Sequence, residues 1–183
     1  MLPTTIDGVI ARLEAIVREC AAAGDRLGYF AALYNRVTLA VRDGIARGEF
    51  QDGPRMERLD VAFAGRYLAA YDAYRAGELP SRSWLRAFEA ARDPRPIVLQ
   101  HLLAGMNAHI NLDLGVAAAR TCPGAELDGL RGDFDRINDV LASLTPRVEA
   151  EVDGLSPDVA ALSRLAPHLE LRMVGFAMDD ARA

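Results

Sequence analysis

The sequence predicts an all-α fold in one domain spanning residues 1–183. Apolar residues recur with a period near 3.6 along almost every segment, and the β-branched alternation a strand needs is scarce. With 183 residues and 51% hydrophobic content, the chain suits one well-buried core and is short for two. The stretch from Gln100 to Leu114, QHLLAGMNAHINLDL, reads as a helix apolar on every side yet carrying six polar side chains. A helix apolar all round belongs in a core. The expected architecture is a bundle of about seven or eight helices around a buried central one running from Pro96 to Arg120.

Ile6, Val9, Ile10, Leu13, Ile16 and Val17 form one stripe after a Thr-rich start, and Gly24 ends it. Asp25 is placed to cap a second helix that carries Tyr29, Phe30, Leu33, Tyr34, Val37 and Val41 and stops by Gly48. The two should pair as an antiparallel hairpin. Asp52-Gly-Pro54 starts a third helix through Leu59, Phe63, Tyr67 and Tyr71 to Gly77. Pro80-Ser81 opens a short fourth helix anchored by Trp84 and Phe88, and Asp93-Pro94 with Pro96 begins the central one, broken by Thr121-Cys-Pro-Gly124. A further helix through Leu130, Phe134, Ile137 and Leu144 meets Pro146, which is expected to end or kink it. Ser156-Pro157 suggests another short helix over 159–165, and the tail 168–180 is helix-compatible.

Composition narrows the function. The net charge is −5 with no basic stripe, which argues against nucleic acid and against an anionic membrane surface. All 21 basic residues are arginine, so a Schiff-base lysine, a P-loop lysine and a Ser-Lys nucleophile are excluded. Cys20 and Cys122 have no metal-ligand spacing and read as buried thiols. The N-terminal stretch carries charges throughout and does not read as a signal peptide, and no apolar run is of transmembrane length. The expectation is a cytoplasmic protein whose partner is a small molecule.

The central stretch holds the candidate chemistry. At about 100° per residue its polar groups fall into three rows: His101 alone, His109 with Asp113, and Gln100, Asn107 and Asn111 together. His109 and Asp113, spaced i, i+4, share a helix face about 6 Å apart. They supply either two ligands of a divalent metal such as zinc, manganese or iron, or a general acid/base in which Asp113 orients His109. A purely architectural pair is the third reading. A metal site would draw further ligands from acids such as Asp60. His101 lies too far along the axis to share an ion with His109 and is a core histidine or a second pocket wall. The amides of Asn107 and Asn111 hold a substrate or clamp backbone carbonyls. On the third helix Asp60, Phe63, Arg66, Tyr67 and Tyr71 read as an aromatic core stripe. In the functional reading Arg66 and Tyr67 donate to a substrate oxygen and Asp60 is a base or ligand. Tyr34 and Thr38 are weaker candidates for the same cavity, and Gly105 marks a close approach beside the box.

The box Gln100 to Leu114, together with Phe63-Ala-Gly-Arg-Tyr67 and Trp84, resembles a family of uncharacterised, mainly helical proteins, DUF5995-like, over about Tyr34 to Asn138. The resemblance implies a fold and a signature, not an activity. The function expected from the residues is a small enzyme acting on a modest-sized, partly apolar substrate between helices, with His109, Asp113 and Asp60 catalytic and Arg66, Tyr67, Asn107, Asn111 and His101 around the substrate. Metal-dependent hydrolysis is placed slightly first, with acid/base isomerisation or cyclisation open. The competing expectation is a non-catalytic ligand carrier or interaction module.

Overall fold

In the computed structural model the backbone is described for residues 1–155 and side chains for residues 1–144, Ala125 aside. Within these residues the chain is helical with no strand, as the periodicity predicts. α1 (Ile6–Ala23) begins where the Thr5 side chain accepts from the Gly8 N–H, and it ends at Gly24, whose φ of 63° is the left-handed cap that glycine adopts freely. Its stripe of Ile6, Val9, Ile10, Leu13, Ile16 and Cys20 is buried, chiefly against α2 (Gly28–Ala46). Asp25 does not cap α2. Its carboxylate accepts from the Leu27 N–H, shaping the short loop that turns the chain back.

α3 (Gly53–Arg75) is capped by Asp52, which accepts from the Arg55 N–H at 2.9 Å, with Pro54 in the first turn. Ser81 caps α4 (Arg82–Arg92). The central helix is α5 (Val98–Ala108), a π-helical segment (His109–Leu114) and α6 (Gly115–Thr121) in unbroken succession. A 3-10 segment (Gly124–Leu130) leads to α7 (Arg131–Leu155). Counting the central helix once, six helices lie among the described residues, against the seven or eight expected. α7 does not end at Pro146 but continues to Leu155. The helices expected beyond it, and His168, lie outside the described residues.

The π segment resolves a conflict in the central helix. His101, Gly105, His109, Asp113 and Ala117 are all buried and follow one another in steps of four. In an undistorted α-helix four such steps rotate the face by about 160°, so the last would leave the core. The wider i→i+5 turn absorbs much of that drift and keeps His109, Asp113 and Ala117 inward. The helix is nevertheless not buried all round. Gln100, Asn107 and Asn111 are exposed, Gln100 Oε1 accepts from the Ile97 N–H at 3.0 Å, and Asn111 donates to Asn107. The amide row therefore faces outward and not into the core.

Two clusters make up most of the core. One cluster joins Leu13, Ile16, Phe30, Tyr34, Tyr67 and Trp84, and the other joins Ile10, Val41, Met56, Leu59, Ala117 and Leu130. Asp133 fastens α7 to the α3 entrance. Its two oxygens accept from the Gln51 N–H at 2.6 Å and from Arg55 Nη2 at 2.7 Å, with the carboxylate 1% exposed.

Candidate functional site

The central helix presents Asp113 to α3 and α4 at once. Arg66 Nε donates to Asp113 Oδ1 at 2.6 Å, and Trp84 Nε1 donates to Oδ2 at 2.7 Å. Asp113 is 1% exposed. Burial works to raise its pKa, but the pull of His109 and the hydrogen bonds from Trp84 and Arg66 outweigh that and hold the carboxyl below its ordinary value.

His109 stands beside this carboxylate, Nδ1 3.5 Å from Oδ2, without hydrogen-bond geometry at either ring nitrogen. Its ring stacks on Phe63 at 3.5 Å and 5°, and Tyr34 meets it edge-on at 4.5 Å. Phe30 and Trp84 approach at 5.6 and 5.9 Å. Gly105 makes room for this cage. A Cβ there would sit 2.4 Å from Phe30 Cδ2, so the close approach expected at that glycine is Phe30 itself. Burial lowers the His109 pKa and Arg66 adds to the effect, against the opposing pull of Asp113, so the imidazole is neutral. With Nδ1 toward the carboxylate, the proton of the neutral ring belongs there. Nε2 is then a bare acceptor.

Six further buried oxygens among the described residues lack partners, among them Tyr34 Oη, Tyr67 Oη and Asp60 Oδ2. Burial drives both tyrosines well above their ordinary pKa, so they are hydrogen-bond donors and not phenolates. Burial, helped by Glu57, pushes Asp60 up to about 7. The charges acting on the Tyr34 hydroxyl are those of Asp60 and Asp113, whereas Tyr67 responds to Tyr71 and Cys20. Tyr34 is the tyrosine nearer His109, ring centroids 4.5 Å apart against 6.4 Å for Tyr67.

Of the residues singled out in the sequence, His109, Asp113, Arg66 and Tyr67 meet in one cluster with Trp84, while Asp60, buried on α3, makes no hydrogen bond or ion pair with it. Arg66 is not a free substrate donor at Nε, which is committed to Asp113. His101 is buried against Tyr29, ring centroids 5.9 Å apart, in a separate small cluster that includes Leu102. Tyr34, a weaker candidate in the sequence, packs directly on His109, and Trp84 is a hydrogen-bond donor as well as an anchor. The spacing of a lone indole carries no sign that its N–H meets a carboxylate 29 positions away.

The divalent-metal expectation finds no ligand set here. Both Asp113 oxygens already accept hydrogen bonds, one from a guanidinium that repels a cation, and no group of three or more His, Cys, Asp or Glu among the described residues is placed to hold an ion. A cavity of about 240 Å³ lined by Asp25, Leu27, Tyr74, Arg75, Ala91 and Arg92 includes none of the cluster's residues.

A family model described as a family of unknown function, DUF5995, matches residues 6–183. The chain belongs to the DUF5995 family. The match reaches beyond the Tyr34 to Asn138 stretch in both directions and takes in α1 and the C-terminal residues. This DUF5995 protein has no match among curated proteins and none among solved structures. No described helix is long and apolar enough to cross a membrane.

Proposed function

We propose that this DUF5995 protein is a metal-independent acid/base enzyme acting on a small, largely apolar substrate held between α2, α3 and the π segment. His109 Nε2 takes and returns the proton. Asp113, gripped by Arg66 and Trp84, sets the ring's tautomer and orientation. The observation that carries the reading is a buried histidine set 3.5 Å from a carboxylate that Arg66 and Trp84 hold in place, with its ring nitrogens otherwise unpartnered. An architectural network satisfies its polar groups, because each one left bare lowers stability by about 1 to 3 kcal/mol. Here Asp113 is satisfied while His109, Tyr34 and Asp60 are not. The π turn at His109 adds support, since such turns concentrate at functional sites. Phe63, half-buried and stacked on the imidazole, is the side chain a ligand would have to displace to reach it.

Hydrolysis of 4-nitrophenyl acetate, a probe that any reachable histidine base or nucleophile turns over, tests the proposal. Wild type should exceed the rate of free imidazole at equal concentration, and a folded His109→Gln variant should fall to background. Equal rates in the two proteins would contradict it. The second reading, a non-catalytic module, draws on the closure of the cluster, with His109 only 4% exposed. It requires His109→Gln to lose substantial stability.

A further inference from the structure

The cavity of about 240 Å³ lies where the loop between α1 and α2 meets the last turns of α3 and α4, and His109 is not among its walls. Asp25 and Leu27 line it from the loop, Tyr74 and Arg75 from α3, and Ala91 and Arg92 from α4. Several buried polar side-chain atoms among the described residues lack a hydrogen-bond partner, and of these Tyr74 Oη is the one whose residue lines this cavity.

Charge in the cavity is uneven. Asp25 is engaged at both oxygens, Oδ1 accepting from the Leu27 N–H at 3.0 Å and Oδ2 from Arg75 Nη1 at 2.8 Å. Arg92 has neither a hydrogen bond nor an ion pair among the described residues. Its guanidinium lies 5.0 Å from the centroid of the Tyr74 ring, and that ring packs on Phe88 at 5.0 Å. A basic residue in the last turn of a helix suits the helix dipole, which is reason enough for Arg75 and Arg92 as residue types. It does not explain a cavity lined by both of them with a buried, unpartnered hydroxyl on its wall.

These groups select an anion of single charge. Asp25 offsets Arg75, so one guanidinium charge remains, and the free donors are the N–H groups of Arg92 and the O–H of Tyr74. A carboxylate presents two oxygens in one plane, which suits the guanidinium fork. A phosphate dianion would bring a second charge toward Asp25 with no cation left to meet it. The volume is below the roughly 300 to 1,000 Å³ of a pocket for a drug-sized molecule, and Leu27 and Ala91 give the cavity an apolar wall. We propose that this cavity binds a small monocarboxylate with a short hydrocarbon chain, its carboxylate held by Arg92 and Tyr74. The site is separate from the acid/base chemistry of His109 and does not rest on it.

Titration of the full chain with butyrate, followed by carbon-13 NMR of the methyl groups, tests the site. The Leu27 and Ala91 methyl signals should shift saturably. Butyramide, of the same size without the charge, should bind at least about tenfold more weakly, and inorganic phosphate should compete poorly. Arg92→Gln and Tyr74→Phe should each weaken butyrate about tenfold. Arg92 is exposed and phenylalanine keeps the Tyr74 ring, so both variants should fold. His109→Gln should bind butyrate as wild type does. No saturable shift at Leu27 and Ala91 in wild type overturns the proposal, as does an affinity unchanged in both cavity variants. Equal binding of butyramide overturns the carboxylate, and phosphate competing as well as butyrate overturns the assignment to a monocarboxylate. Loss of binding in His109→Gln would move butyrate to the other cluster and overturn this cavity as its site.

Discussion

Trp84 Nε1 donates a 2.7 Å hydrogen bond to Asp113 Oδ2, joining α4 to the π segment through two side chains that are each 1% exposed. A hydrogen bond to a buried carboxylate contributes about 1.5 to 3 kcal/mol. Trp84→Phe, which keeps an aromatic ring in place, should lower stability by about 2 kcal/mol or more in urea denaturation. Arg66→Ala should lower it less, because the Arg66 side chain is 27% exposed and water weakens the pair. The ordering of the two variants is the check.

Tyr34→Phe should behave in the opposite sense. Its hydroxyl is buried and unpartnered, so deleting it removes an unmet hydrogen-bonding need of about 1 to 3 kcal/mol. Thermal melts should show unchanged or raised stability. A clear loss would mean that the hydroxyl is already satisfied in the free protein.

The pH profile of stability should contain two opposed limbs. Asp60 has a folded pKa raised to about 7, by burial and by Glu57, so its contribution is complete below the unfolded carboxyl value and is lost as pH rises toward and through 7. The rise from an ordinary 3.8 to about 7 corresponds to about 4 kcal/mol. His109 has a depressed pKa, from burial with Arg66 adding to it, so its contribution is present above the unfolded imidazole value and is lost as pH falls through the folded one. Urea melts from pH 4 to 8 should lose the falling limb in Asp60→Asn and the rising limb in His109→Gln.

Gly105→Ala tests the seating of Phe30. Helix propensity alone favours Ala by about 1 kcal/mol. The added methyl would meet Phe30 Cδ2 at 2.4 Å and Cγ at 2.6 Å, so the aromatic cage must shift. Overpacking of this kind costs about 1 to 3 kcal/mol, and the net effect should be destabilising with altered near-UV circular dichroism.

Much of the fold was legible because helix signals are local. Thr5, Asp52 and Ser81 each cap the helix that the residue type announces, and the stripe of α1 is buried as its period requires. The His109 and Asp113 pair was legible for the same reason, as an i, i+4 spacing. What escaped depended on distance and register. The grip of Arg66 and Trp84 on Asp113 spans 47 and 29 positions, which no local pattern encodes. The outward face of Asn107 and Asn111 was hidden because the neighbouring Leu and Ile residues suggested burial all round. The π turn was hidden because an angle of about 100° per residue assumes an unbroken α-helix.

A neutral His109 with an unpartnered Nε2 is the state on which the proposed chemistry depends. Nitrogen-15 NMR of the imidazole rings, with His109→Gln giving the assignment among the three histidines of the chain, reads this directly. The predicted spectrum at pH 7 is a neutral ring protonated on Nδ1, with Nε2 free of a strong hydrogen bond and protonation delayed to a pH below that of an ordinary histidine. A charged imidazolium at pH 7, paired with Asp113, would contradict that chemistry and make the cluster a buried ion pair.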